Sequence, residues 1–313
     1  MDVVDLHCDL LAYLAKDPTR GPLDPAPRCS ALQQRGGNVT LQTYAIFSET
    51  APHSLSYGLK QLDLFLSLPH QYPTFFNSQN SLVAFENGST FCLEKEPIED
   101  VFKRLELILA KVHPLYIGLT WNEENRFGGG CGSWSQCGLK EDGKGLLTFL
   151  SGRNIAIDFS HASDLLARDI LNFIDANNLD FSLLASHSNF RTVHPQKRNL
   201  PDDIASEIIQ RKGVIGLVLY GKFLGTVENL YRQIEFGFKL GGTSSLAFGA
   251  DFFCLDDMSH QIKNEGFFFD EMSDASKYPS ILQSIEKEVG LTPSQLQAFA
   301  SQNALEFIKK TRK

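Results

Sequence analysis

The chain has 313 residues, 42% hydrophobic and 21% charged, a globular composition with enough apolar residues for a sizeable core. Its formal net charge of −8 and pI near 5.5 exclude a surface built to neutralise phosphates, so nucleic acid is not an expected partner. The length exceeds the usual domain size, yet α/β barrels reach it as one unit, and with no linker-like stretch we expect a single domain over residues 1–313.

In chain order, short β-type runs alternate with longer runs of helical period, the pattern of βαβ units around a parallel sheet. The first strand, residues 3–6, leads into His7-Cys8-Asp9. In extended chain His7 and Asp9 share a face while Cys8 points away, so a nitrogen and an oxygen ligand converge at the strand end. Taken alone, that pair is equally a hydrogen-bonded histidine beside an acid. Further strands are expected at 41–47, 82–85, 115–121, 155–159, 181–185, 213–219 and 245–250, eight in all, the number that closes a barrel. Amphipathic helices are expected at 98–112, 163–176, 202–211 and 227–240, with extra C-terminal helices after a Phe-rich loop at 267–269 and a cap at Thr292-Pro293. The fold class is therefore α/β, a (β/α)8 TIM-type barrel.

The longest apolar run, 214–220, is too short to span a bilayer, and no basic-plus-apolar leader opens the chain, so a cytoplasmic protein with no membrane partner is expected. The six cysteines then read as reduced thiols, and the spacing of Cys131 and Cys137 fits no common zinc motif. Gly128-Gly129-Gly130 lacks the strand-to-helix context of a phosphate cradle and reads as a flexible loop near the site. His53, His70, His113, His194 and His260 fall in loops or at element ends and read as structural or solvent-exposed.

Six ionisable side chains lie at the C-terminal ends of five expected strands: His7 and Asp9 after the first, Glu86 after the third, His161 after the fifth, His187 after the sixth and Asp251 after the eighth. That is the face on which barrel enzymes assemble their sites. Three carboxylates in one partly desolvated mouth would be prohibitive without cations. One divalent ion leaves about −1 and two leave about +1, which a bridging hydroxide neutralises, so the charge count favours two metals. Mixed imidazole and carboxylate donors suit zinc, with manganese or cobalt as other divalent choices. Tyr220, just after the seventh strand, is a candidate pocket residue.

The motifs Asp5-Leu6-His7-Cys8-Asp9, Phe85-Glu86-Asn87-Gly88, Asp158-Phe159-Ser160-His161-Ala162-Ser163, Ser186-His187-Ser188-Asn189, Arg198-Asn199-Leu200-Pro201-Asp202 and Gly249-Ala250-Asp251-Phe252 occur in order over most of the chain. With them the chain resembles the renal (membrane) dipeptidase family of metal-dependent hydrolase barrels. The resemblance implies a zinc-dependent dipeptidase. His7 and Asp9 would hold one Zn2+, His161 and His187 the other, and Glu86 would bridge both. A metal-bridging hydroxide would attack the peptide carbonyl, with Asp251 as proton acceptor and donor. Arg198 would bind the substrate's C-terminal carboxylate, against the alternative of a surface arginine paired with Asp202 or Asp203. The resemblance further implies a homodimer and tolerance of a C-terminal D-residue in the dipeptide substrate.

One position departs from the family pattern. Characterised mammalian members carry a histidine at the end of the fourth strand, where this chain has Trp121 in Leu119-Thr120-Trp121-Asn122. An indole donates one hydrogen bond and carries no charge, which shifts oxyanion stabilisation to the metals or to Asn122 or Asn125. Two rival readings follow: a binuclear-metal hydrolase of another small amide or lactone with its pocket altered by Trp121, and a non-catalytic binding protein on the same barrel.

Overall fold

The structure, a computed structural model, describes residues 1–133, 137–258 and 267–313; His260 lies outside them. Eight parallel strands form a closed barrel in chain order: β1 (Val3–Cys8), β2 (Val39–Ile46), β3 (Ser81–Phe85), β4 (Tyr116–Gly118), β5 (Ala156–Asp158), β6 (Leu183–Ala185), β7 (Val214–Leu217) and β8 (Leu246–Phe248). Asp5 pairs with Phe248 across the seam between β1 and β8. Most of these strands read as short apolar runs because barrel strands are buried on both faces; β2, with Thr40, Gln42 and Thr43 and a partly exposed start, is the exception.

Inside the barrel Val4, Leu6, Leu82, Ala84, Tyr116, Ala156, Leu184, Val214 and Ala247 pack together. Phe307 and Ile308 of the last helix, Asn303–Thr311, join that cluster. The outward residues of the same strands pack against the surrounding helices in a second, larger core.

Four expected helices form close to their predicted bounds, as Ile98–Leu109, Asp164–Ala176, Asp202–Gln210 and Val227–Lys239. Ser163 caps the second by accepting from the Leu166 amide, and Thr226 caps the fourth through Asn229. The C-terminal helices begin at Tyr278–Val289, and Thr292 with Gln295 forms a capping box for Pro293–Gln297. The helices Ser54–Gln71 and Glu141–Leu150 were not anticipated from the sequence.

The six cysteines are free thiols. No helix among the described residues is long and apolar enough to cross a membrane. The Gly128–Gly130 segment is not the flexible loop expected. Gly128 bridges to Leu139 and Gly130 to Ala162, and a Cβ at Gly130 would collide with the backbone of Trp121 and Asn122. The close approach demands glycine and pins this loop against the end of β4.

Candidate metal centre

Strict alternation along β1 would place His7 on the outer face with Val3 and Asp5, because Val4 and Leu6 point into the barrel. A register irregularity between Asp5 and Cys8 breaks that phase. His7 and Asp9 therefore turn to the barrel mouth while Cys8 packs outward in the larger core. Local bulging of this kind re-aims side chains beside functional sites.

All six expected side chains meet at this mouth. His7 Nε2 lies 3.6 Å from Glu86 Oε2, 3.8 Å from Asp9 Oδ1 and 3.6 Å from Asp251 Oδ1. Glu86 Oε1 lies 2.8 Å from His161 Nε2 and 3.5 Å from His187 Nε2, and those two nitrogens are 2.9 Å apart. Glu86 is thus in reach of all three imidazoles. Asp251 adopts φ +62, a left-handed conformation unusual for a residue with a Cβ, at the turn that leaves β8.

Each imidazole has its Nδ1 committed elsewhere. His7 Nδ1 is 2.7 Å from Tyr116 Oη, whose own proton goes to the Leu6 carbonyl, so Nδ1–H is the donor. His187 Nδ1 is 2.8 Å from Ser186 Oγ, which donates to Asp158 Oδ2 at 2.5 Å. His161 Nδ1 is 2.9 Å from Asn122 Oδ1. In the neutral ring each proton on Nδ1 leaves a lone pair on Nε2, and all three lone pairs converge. Burial holds the rings in that neutral form: it pushes His7 down to about 3 and His161 and His187 well below the usual range, with the Arg198 guanidinium adding to the effect.

The carboxylates oppose ionisation. Burial raises Asp9 to about 7, and burial with repulsion from Asp9 holds Glu86 and Asp251 well above the usual carboxylate range. His7 Nε2, Asp9 Oδ1 and Glu86 Oε2 are buried and have no hydrogen-bond partner. Buried polar atoms without partners are costly, and inward-facing imidazole lone pairs clustered with carboxyl groups are the donor set of a cation site. The residues present therefore fit divalent metal.

Sequence reasoning did not find the groups behind this cluster. Asp158 accepts from the amides and hydroxyls of Ser160 and Ser186, and the Ser160 hydroxyl in turn accepts from the His187 amide. Asp5 accepts from the His7 and Ala250 amides and from the Tyr278 hydroxyl, tying the end of β1 to the end of β8. Acid residues two or three positions before a ligand histidine, in Asp5-Leu6-His7 and Asp158-Phe159-Ser160-His161, were the available signal. Outer partners of metal-binding histidines commonly set affinity about 10- to 100-fold. Asp158→Asn is accordingly expected to weaken divalent-metal binding about 10- to 100-fold with the fold retained, read by equilibrium dialysis against a chelator of known affinity.

Above the cluster opens a cavity of about 600 Å³ lined by Asp9, Glu86, His161 and Asp251 at its base and by Phe47, Trp121, Tyr220, Phe223 and Phe253 on its walls. Trp121 packs edge-on to Phe47 and tilts against His161 at centroid distances of 5.1 and 5.9 Å. His53, read from sequence as structural or exposed, is exposed but also lines this cavity. Asn122 reaches the cavity with its oxygen turned to His161. Asn125 does not take the oxyanion place allowed for it. It is buried, with its amide donating to the Leu119 carbonyl and Asn87 and its oxygen accepting from the Phe127 amide.

Arg198 is likewise not the surface residue of the alternative reading. It is 7% exposed, Nη1 donates to Ser188 Oγ and Nη2 to the His187 carbonyl, while Asp202 accepts from Thr192 and Asp203 pairs with Arg168. Its Nε has no partner.

Eight parallel strands delivering imidazoles and carboxylates to one mouth define a (β/α)8 barrel with a candidate metal centre. Residues 1–313 match the family model described as membrane dipeptidase (Peptidase family M19), and the chain belongs to that family. Dipeptidase aclJ of Aspergillus oryzae is 25% identical over 169 residues, which cover 50% of this chain and 36% of that protein. An uncharacterized protein in the PQQ-III 3' region of Acinetobacter calcoaceticus is 32% identical over 171 residues, 53% of this chain and 50% of that protein. The match thus spans half or less of the length of these two curated relatives. A metallo peptidase from Rhodobacter sphaeroides, solved with a phosphinate mimic of the dipeptide L-Ala-D-Ala, shares the fold with a TM-score of 0.81 at 17% identity, covering 99% of each chain.

Proposed function

We propose that the chain is a zinc-dependent dipeptidase. The observation that carries this reading is the convergence of His7, His161 and His187 Nε2 with Asp9, Glu86 and Asp251 beneath a cavity of about 600 Å³. His7 and Asp9 would hold one cation, His161 and His187 the other, with Glu86 shared. Bound there, two divalent ions supply an acidified water and polarise the scissile carbonyl.

The chain's own groups do the rest. Asp251, whose Oδ1 lies 3.6 Å from His7 Nε2 at the base of the cavity, is placed to take a proton from the attacking water and return it to the leaving amine. Arg198 offers a planar fork, with Nε still unpartnered, to the C-terminal carboxylate of the substrate. Phe47, Trp121, Tyr220 and Phe253 keep water from the reacting bond. The phosphinate mimic of L-Ala-D-Ala bound by the Rhodobacter relative supports extending the substrate class to dipeptides with a C-terminal D-residue. A homodimer, a cytoplasmic location and a single unit over residues 1–313 complete the proposal.

A panel of L,L and L,D dipeptides, N-acyl amino acids and lactones tests it on the zinc-loaded protein. Dipeptides with a free carboxylate are expected to turn over fastest, and C-terminal amidation is expected to cost about 100-fold or more in kcat/KM, since it leaves the buried Arg198 charge unpaired. Faster turnover of lactones or N-acyl compounds would transfer the centre to the alternative hydrolase reading, in which Trp121 reshapes the wall.

A further inference from the structure

The guanidinium of Arg198 faces the lone pair that a cation at His161 would need. Nη2 spends one hydrogen on the His187 carbonyl at 2.9 Å and directs the other at His161 Nε2, 3.2 Å away. His161 has no other lone pair to give, because Nδ1 is turned to Asn122. Ser188 Oγ holds Nη1 at 2.9 Å and the Phe223 ring lies 5.5 Å from Cζ, so the buried charge cannot swing out to water. The other end of the centre is of opposite character: Asp9 and Asp251 both lie within 4 Å of His7 Nε2. Carboxylates draw a dication to that end, whereas a fixed guanidinium repels one from the His161–His187 end.

We propose that Arg198 is a built-in competitor of the second cation. It makes the His161–His187 position the weaker of the two, and a carboxylate that engages the guanidinium relieves the competition. A cation on Nε2 frees the Nη2 hydrogen and leaves it, with the unpartnered Nε, for an incoming carboxylate. By linkage the two ligands favour one another, so carboxylate binding and completion of the centre are one coupled event. The inference rests on the dinuclear reading above, and it names Arg198 as a regulating contact of that centre in addition to a substrate contact.

The test is a calorimetric titration of the cation-stripped full chain with zinc chloride. The wild type is expected to bind in two steps that differ by about tenfold or more. Arg198→Met and Arg198→Gln, two neutral replacements of which either one folded suffices, are expected to tighten the weaker step by about tenfold and to leave the tighter one within about twofold. Saturating benzoate, a monocarboxylate that cannot be hydrolysed, is expected to narrow the gap in the wild type and not in these variants. Ser188→Ala, which keeps the charge, is expected to retain two unequal steps. Equal steps in the wild type, or neutral variants whose weaker step is unchanged or weaker still, would overturn the inference. Hydrolysis is not read in this titration, so the two conclusions can fail separately. Unequal steps relieved in Arg198→Met without any dipeptide turnover would uphold the competition and remove the dipeptidase reading; turnover with equal steps would do the reverse.

Discussion

Glu86→Gln is expected to cost the chain at least one bound divalent ion and to lower dipeptide hydrolysis about 1,000-fold or more, as loss of a group that organises the charged transition state does. The reason lies in its placement. Glu86 is in reach of both histidine groups, at 2.8 Å from His161 Nε2 with one oxygen and 3.6 Å from His7 Nε2 with the other. Glutamine keeps the volume but removes the charge and turns one oxygen into a donor, which faces any cation with the wrong polarity. The same change should make the cation-free fold melt higher, because a buried carboxyl crowded by Asp9 and Asp251 is removed. A residue that only packed the barrel would show the opposite, a lower melting point with zinc content intact. Elemental analysis after dialysis, paired with thermal melts with and without chelator, separates the two.

Stripping the cations is expected to make stability fall as pH rises above about 6.5, at about 1.4 kcal/mol per pH unit for each carboxyl still protonated in the fold. The sign follows from the raised groups. Asp9 goes from 3.8 to about 7 on folding, and Glu86 and Asp251 lie well above their ordinary values, so their contribution is fully present below about pH 4 and drains away as pH rises through the folded values. The depressed imidazoles act oppositely: His7, moved from 6.5 to about 3, loses its contribution as pH falls through that interval. Between about pH 4 and 6.5 the two sets offset one another, and above 6.5 only the carboxyls remain. Zinc replaces the protons, so the loaded protein should show little slope there. Urea melts at pH 6.5 and 8.5, with zinc and with chelator, check this; a cation-free protein that gains stability over that interval would contradict it.

The strand ends were legible because barrel strands are short apolar runs and their ligands follow directly, as in Val83-Ala84-Phe85-Glu86 and Gly249-Ala250-Asp251. The helix Ser54–Gln71 was not, since its buried face includes Ser54, Gly58 and Gln61, small or polar residues that dilute the apolar period, and Pro69 sits within it. The bulge that turns His7 inward leaves no mark in composition; period two alone would have sent it outward. The roles of Asp158 and Asp5 are hidden for a related reason. Their work is done through hydroxyls and amides far away in sequence, from Ser186 in one case and from Ala250 and Tyr278 in the other. Asn125 was misread because proximity in sequence to Trp121 says nothing about which carbonyl its amide will reach.

The proposed dinuclear centre places two cations on Glu86, and the decisive experiment uses crystals of the zinc-loaded protein measured on both sides of the zinc absorption edge. That centre predicts two anomalous peaks, one against His7 and Asp9, the other against His161 and His187, both touching the Glu86 carboxylate. A single peak, or zinc bound only away from these five side chains, would contradict it.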